Sequence, residues 1–322
     1  MAINRRQILG ATLAAPVVVT GGLTQVAHAQ AAPAKTGTIN TFTVGDAKVT
    51  ALLDGHIAIA SQIISPFDQA KADEALADSL FGFGEQGMPI PVSGYLIEKA
   101  GKYTLLDAGA AGLFGPTLGN LAASLAATGV KPEQISTILL THMHPDHTGG
   151  LVDGDGNAVF PNAELVVSAT EHGFWYDDAI MASVPEGNRP FFEMARNTTA
   201  PYADRLKKFD GEVEVAAGFT SLPLPGHTPG HTGYMLDGGT ESLLLWGDVI
   251  HLTGLQFALP EWTIAFDTDP ALTVETRKKM LDRAASDKML VTGAHIEFPG
   301  LGKVYRKGEA YGFAAAPWQF AV

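Results

Sequence analysis

Thr141-His142-Met143-His144-Pro145-Asp146-His147-Thr148-Gly149-Gly150 follows directly on the apolar run from Ile135 to Leu140. A short apolar run that ends in turn residues reads as a buried strand, so these histidines fall where a strand gives way to a loop. Alternate residues of an extended segment point the same way, which places His142 and His144 on one side. Pro145 bends the chain, and Asp146 and His147 then face the same cavity from beyond the bend. A lone histidine usually binds no metal. Three of them with an aspartate in one short run fit a metal well, because borderline ions such as zinc take imidazole nitrogen and carboxylate oxygen together.

Two more histidine-bearing signals follow, Pro225-Gly226-His227-Thr228-Pro229-Gly230-His231 and Gly293-Ala294-His295, and Asp248 lies between them at the end of another apolar run. Imidazoles and carboxylates collected at strand ends are what a two-metal hydrolytic centre requires, since paired ions activate water and hold the substrate oxygen. There is no cysteine, which removes thiolate sites, disulfides and a thiol nucleophile. No Gly-x-Ser-x-Gly elbow supplies a serine nucleophile either. The chain reads as a metallohydrolase.

The 322 residues, 46% of them apolar, allow one large folded domain or two smaller ones. The start of the chain has the pattern of an export signal over residues 1–29. Arg5 and Arg6 form the basic region, Ala11 to Val19 the apolar run, and Ala27-His28-Ala29 a small-residue cleavage site. The paired arginines suggest the twin-arginine type. A periplasmic or secreted location is therefore expected, with a linker over 30–38 and a single domain over 39–322. The apolar run is short for a bilayer span, and no later segment is long enough, so no stable membrane insertion is expected. Formal net charge is −13, and removing Arg5 and Arg6 takes it to −15. Without a basic stripe, nucleic acid is an unsuitable partner, and a small neutral substrate suits this surface better than an anionic one.

Strands are expected over Ile39–Val44 and Lys48–Leu53, and a helix within Phe67–Leu80. A hairpin about Gly101 is expected after Pro89 and Pro91 interrupt the chain, then a helix over Leu118–Thr128. Helices are also expected over Thr170–Asp178 and from Pro270 to about Ala285, with irregular or broken helix over Pro185–Pro201, a stretch that suits a lid or subunit contact. Antiparallel-looking strand groups with helices between them fit an α+β fold, with two sheets packed together and helices outside in a four-layer αββα arrangement.

The run from His142 to His147 resembles the H-x-H-x-D-H signature of the metallo-β-lactamase superfamily. That resemblance implies one metal held by His142, His144 and His227 and a second held by Asp146, His147 and His295, with Asp248 bridging both. It also implies a metal-bridging hydroxide as nucleophile, with Asp146 and Asp248 the carboxylates at the reacting centre. Zinc is the expected ion, and manganese, cobalt or iron fit related sites. His231 is expected to support its loop from behind. Asp107 is expected to orient a ligating histidine, and Asp54-Gly55 has a similar family counterpart that also reads as a plain turn.

The stretch from Gly109 to Gly119, with the three histidine motifs and the His-x-x-Phe-Pro-Gly run from His295, looks like methyl parathion hydrolase and its lactonase relatives. The resemblance implies an aromatic pocket of Phe114, Trp175 and one of Phe191 or Phe192, with Phe192 preferred. It also implies neutral lactones, aryl esters or organophosphate triesters as substrates, and a homodimer. His251 stands where many quorum-signal lactonases carry a substrate-holding tyrosine, which weakens an acyl-homoserine lactone assignment. Rival readings are a β-lactamase, a thioesterase and a non-catalytic periplasmic metal-binding protein.

Overall fold

The structure, a computed structural model, describes residues 36–77, 79–80 and 82–317. The signal segment expected over 1–29, and the linker as far as residue 35, lie outside the described residues. The first strand begins at Thr38, whose amide donates to Ser124 Oγ at 3.0 Å. Among the described residues no helix is long and apolar enough to cross a membrane.

Two seven-stranded sheets form the body. In the first, the strands run in the order Thr38–Val44, Ala47–Ile59, Met88–Lys99, Lys102–Leu106, Ile135–Leu139, Glu164–Ser168 and Leu206–Phe209. The second runs Ala310–Ala315, Gly302–Lys307, Leu290–Thr292, Ser242–Leu245, Thr232–Asp237, Phe219–Pro223 and Glu214–Ala216. Their inner faces bury one apolar layer, with Val49, Tyr95, Ile97 and Leu139 from the first sheet meeting Phe219, Tyr234, Leu236 and Leu245 from the second. On the outer face of the first sheet, Leu121, Leu125, Trp175 and Phe192 from three helices join the core. The helix Pro270–Ser286 covers the second sheet through Met280, Leu281 and Ala284. The layers run helix, sheet, sheet, helix.

Several expectations need correction. The last four strands of the first sheet pair in parallel, from Lys102–Leu106 onward, so that sheet is mixed. Pro89 and Pro91 do not interrupt the chain. They lie inside Met88–Lys99, where only Ala47–Ile59 pairs with the strand, and an edge tolerates a missing amide donor. Pro185–Pro201 contains a regular helix, Arg189–Thr199, with Pro190 in its first turn, where the lost N–H costs nothing. The strand Ala310–Ala315 forms one edge of the second sheet.

Bonds between the sheets gather at one end. Tyr234 donates its hydroxyl to the Leu140 carbonyl at 2.7 Å, and the Thr232 amide bonds to the Thr141 carbonyl at 2.9 Å. The Ser93 amide bonds across to the Ala294 carbonyl at 3.0 Å. These links fix the strand ends that carry His142, His231 and His295 relative to one another.

Asp54-Gly55 is more than a turn. The buried Asp54 carboxylate accepts from the amides of Ala110, Gly119 and Leu121 at 2.8–3.1 Å, holding the loop that carries Phe114. Gly55 has φ +148°, and a Cβ there would lie 1.9 Å from the Thr117 carbonyl oxygen. Asp54→Ala would strand buried amide donors, so it should lower unfolding stability by about 3 kcal/mol. A urea midpoint equal to wild type would show that the loop holds its shape without this carboxylate.

Candidate metal centre

The strand Ile135–Leu139 ends between parallel neighbours, and the chain then leaves the sheet through His142, Met143 and His144. Pro145 opens the short helix Pro145–Thr148, which carries Asp146 and His147. Asp107, at the end of the adjacent strand, adopts φ +56°. One of its oxygens accepts from the Thr141 amide at 2.9 Å, and the other receives Thr141 Oγ1 at 2.9 Å and His147 Nδ1 at 2.8 Å. Asp107 therefore fixes the His147 ring and turns its Nε2 toward the centre. That nitrogen is buried with no hydrogen-bond partner among the described residues, and Asp248 Oδ1 is in the same position.

His227 Nδ1 faces Asp267 Oδ1 at 2.8 Å, so His227 Nε2 turns inward, 3.0 Å from His144 Nδ1. His142 Nε2 lies 3.0 Å from the same His144 nitrogen. His295 is held by Nδ1 against the Pro91 carbonyl at 2.8 Å, with Nε2 3.2 Å from Asp248 Oδ2. His231 behaves differently. Its Nδ1 donates to the Leu224 carbonyl at 2.9 Å and its Nε2 accepts from the Asp248 amide at 3.0 Å, so both nitrogens are used. Gly247, at φ +58°, brings Asp248 up to this ring, and a Cβ there would lie 2.6 Å from His231 Nε2.

Donor atoms of His142, His144 and His227 lie within 4.8 Å of one another, as do those of Asp146, His147 and His295. His142, His147 and Asp248 form a further such group, as do His227, Asp248 and His251. The residues fit metal ions. Imidazole nitrogens facing each other at 3.0 Å, with the unpartnered His147 Nε2 and Asp248 Oδ1 buried beside them, are costly arrangements unless a cation lies between them.

Electrostatics point the same way. Burial and the neighbouring His147 lower the pKa of His142 well below the ordinary imidazole value, and burial and His227 do the same to His144. Burial also lowers His231, to about 3, which keeps its fixed tautomer neutral. For His147 burial acts downward, but Asp248, Asp146 and Asp107 outweigh it and raise the pKa well above the usual value. Burial raises Asp248, yet the imidazoles around it, His147 and His295 first, carry it well below the carboxylate range. A metal ion takes the place of the proton that such a histidine would otherwise hold.

The centre forms the floor of a cleft of about 670 Å³. Its walls include Ile57, Ile59, Ile90, Ile264, Phe191 and Phe266, with Phe114 at 38% exposure. His251 lines it as well, 3% exposed, and burial lowers its pKa to about 4. Trp175 and Phe192 are not on this wall. They pack against each other in the outer core, ring centroids 4.7 Å apart, and Trp175 reaches only the back of His144. The preference for Phe192 over Phe191 is thus reversed. Adjacent helix positions point about 100° apart, and Phe191 is the one that faces the cleft.

Three polar residues had no signal in the sequence. Asp267 reads there as part of the turn before a helix, yet it orients His227. Burial raises its pKa, but the His227 hydrogen bond outweighs that and holds it at about 2. Glu171 reads as an ordinary first-turn acid, yet it is fully buried and bonded to both histidine loops. Arg277 reads as a surface helix residue. It is fully buried and donates to the carbonyls of Val249, Pro260 and Trp262 at 2.7–3.1 Å, tying the Asp248 turn to the segment before Asp267.

Residues 87–295 match the metallo-beta-lactamase superfamily. The fold is similar to the crystal structure of the hydrolase AbOPH, in the beta lactamase superfamily, with 34% identity and a TM-score of 0.82 over 88% of this chain and 99% of that one. It is also similar to AidC, a dizinc quorum-quenching lactonase, with 27% identity and a TM-score of 0.81 over 89% of this chain and 100% of that one. The N-acyl homoserine lactonase AiiA of Bacillus thuringiensis subsp. kurstaki is 27% identical over 175 residues, 53% of this chain and 60% of that protein. An N-acyl homoserine lactonase of Bacillus cereus is 25% identical over 171 residues, again 53% and 60%. The chain thus spans about 60% of the length of the curated lactonases it matches. With the family match covering more than half of its length and this fold around the centre, the chain belongs to the metallo-β-lactamase superfamily.

Proposed function

We propose that this chain is a binuclear-metal hydrolase that opens neutral lactones and cleaves aryl esters. The observation that carries this is the joining of an apolar cleft to a floor of imidazole and carboxylate donors. His142, His144 and His227 would hold one ion, and Asp146, His147 and His295 the other, with Asp248 between them. Ions so held lower the pKa of a water molecule and polarise an ester carbonyl. The protein's own part is to fix the donors, exclude bulk water and place the substrate. The isoleucine and phenylalanine walls receive an acyl or aryl group, leaving the ester carbonyl at the floor.

Acyl-homoserine lactones are the second reading. The curated relatives named above and AidC carry that activity in their names, and the cleft has room for an acyl chain. His251 at the tyrosine position of many such lactonases is the reason for ranking it second. Organophosphate triesters stand on the sequence resemblance to methyl parathion hydrolase alone. Export to the periplasm belongs to the same proposal and rests on the pattern of residues 1–29.

Protein with quantified metal should be assayed against dihydrocoumarin, an acyl-homoserine lactone, paraoxon and nitrocefin. Dihydrocoumarin should turn over fastest and nitrocefin slowest, and lactone turnover no faster than with matched free metal would refute the enzyme reading. Asp248→Ala should lose metal and activity together, and a variant that keeps both ions would exclude the bridging role.

The two aromatic positions should separate. Phe191→Ala removes cleft wall, so KM for an aryl or acyl substrate should rise about tenfold, the equivalent of one lost apolar contact of about 1.4 kcal/mol. Its thermal midpoint should stay near wild type. Trp175→Ala empties core volume and should cost about 3–5 kcal/mol of stability. Steady-state kinetics and calorimetry on both variants check the assignment, which an unchanged KM for Phe191→Ala would overturn.

A further inference from the structure

We propose that one buried water molecule, bound by Arg277, is a built part of the support behind the centre, where it joins the turn of Asp248 to the loop of His227. Its effect on metal binding rests on the metal-hydrolase reading above, whereas the water site itself does not.

Arg277 is the starting point. It lies in the helix Pro270–Ser286, is 0% exposed, and bonds to backbone carbonyls. Nε donates to Val249 at 2.8 Å, and Nη1 donates to Pro260 at 3.1 Å and to Trp262 at 2.7 Å. Nη2 is buried with no hydrogen-bond partner among the described residues. A charged donor left unmatched in the interior is costly. The guanidinium is planar, and Nη2 shares an edge of it with Nε. Nη2 therefore points to the side on which Nε meets Val249.

A small cavity of about 10 Å³ lies there, with Val249 and Arg277 both on its wall. That size admits one water molecule and nothing larger. A void walled by hydrocarbon alone stays dry, whereas convergent polar groups hold water. Thr273 and Thr276, which also line the cavity, supply acceptors. The Thr273 hydroxyl donates its proton to the Asp269 carbonyl at 2.9 Å and the Thr276 hydroxyl to the Pro225 carbonyl at 2.6 Å. Both oxygens keep lone pairs with which to accept. Water in this cavity accepts from Arg277 Nη2 and donates to the two hydroxyls, a full set of partners for a buried water.

Placement gives the water a task. His227 and Asp248 line this cavity as well as the cleft, so the two spaces share a wall. Arg277 holds the carbonyl of Val249, the neighbour of Asp248, and Thr276 holds the carbonyl of Pro225 in the loop of His227. Water between the guanidinium and Thr276 locks those two attachments to each other. Arg277 is then a positioning residue, setting the proposed bridging carboxylate against a donor of one ion.

Crystals of the metal-loaded protein test the site, and chelator competition tests its effect. The expected result is one ordered water within hydrogen-bond distance of Arg277 Nη2 and of the Thr273 or Thr276 hydroxyl. Ions at the centre beside a dry cavity, or Nη2 bonded directly to protein, would overturn the proposal and leave the hydrolase reading intact. The ordered water in crystals that take up no ions would uphold the site and overturn the hydrolase reading instead. Arg277→Met should weaken the binding of one ion about tenfold, and Arg277→Lys, which returns a donor to the cavity, should recover most of that loss. Thr273→Val keeps every bond of the guanidinium and serves if Arg277→Met folds poorly. It should lower metal affinity in the same direction, with the water lost from its crystals. Wild-type affinity in a variant that has lost the water would overturn the positioning role.

Discussion

Imidazole nitrogens held 3.0 Å apart, tip to tip, cannot all carry protons and gain little from one another as bare lone pairs. Most of the surrounding structure serves to impose that arrangement. Asp107 sets His147, Asp267 sets His227, the Pro91 carbonyl sets His295, and Thr141 Oγ1 lies 3.0 Å from His142 Nδ1. Each partner takes the outward nitrogen and so commits the inward one to the centre, which fixes tautomer and ring orientation at once. Donors pre-organised in this way lose little freedom when an ion binds, and part of the binding energy then appears as folding stability.

Glu171 shows what holds the two histidine loops together. Its carboxylate takes the Met143 amide at 2.9 Å and Trp175 Nε1 at 2.6 Å, and on the other side Thr228 Oγ1 at 2.7 Å and the Gly230 amide at 3.0 Å. One fully buried acid thus binds the loop of His142 and His144 to the loop of His227. Burial raises its pKa, while those four bonds act downward. The close approach also accounts for Gly230, where a Cβ would lie 2.1 Å from the Glu171 amide nitrogen. Trp175, expected on the pocket wall, instead helps to satisfy this carboxylate.

The donors proved far more legible in the sequence than the partners that orient them. Seven candidate donors are legible because metal chemistry restricts the residue types and a family motif fixes their spacing along the chain. The supporting places of His231 and Asp107 are legible only through the family resemblance. Glu171, Asp267 and Arg277 were not, since an acid in a helix's first turn, an acid before a helix and an arginine within one all have ordinary surface explanations. Only folding buries them. The cleft wall was hidden for another cause. Ile57, Ile59 and Ile90 come from two strands paired in one register, and Ile264 and Phe266 from a distant segment, so no local pattern connects them. The layered fold was readable from its alternating runs, but strand direction was not, because parallel pairing depends on crossovers that periodicity does not reveal.

Charge and shape act together on what this centre can receive. Asp146 and Asp248 would contribute two negative charges as ligands, and Asp107 and Asp267 add two more behind His147 and His227. Four carboxylates offset the charge of two divalent ions, so a loaded centre projects little net positive field into the cleft. The chain as a whole is acidic, at −13. Neither the centre nor the surface would then draw in an anion from a distance. What remains is the apolar wall, which gains free energy from any uncharged acyl or aryl group it removes from water. Selection by apolar contact tolerates many shapes, because one methylene more or less is worth only about 1–3 kcal/mol. A site built this way would discriminate by the size of an uncharged apolar group, which is the ground for proposing neutral lactones and aryl esters over charged thioesters.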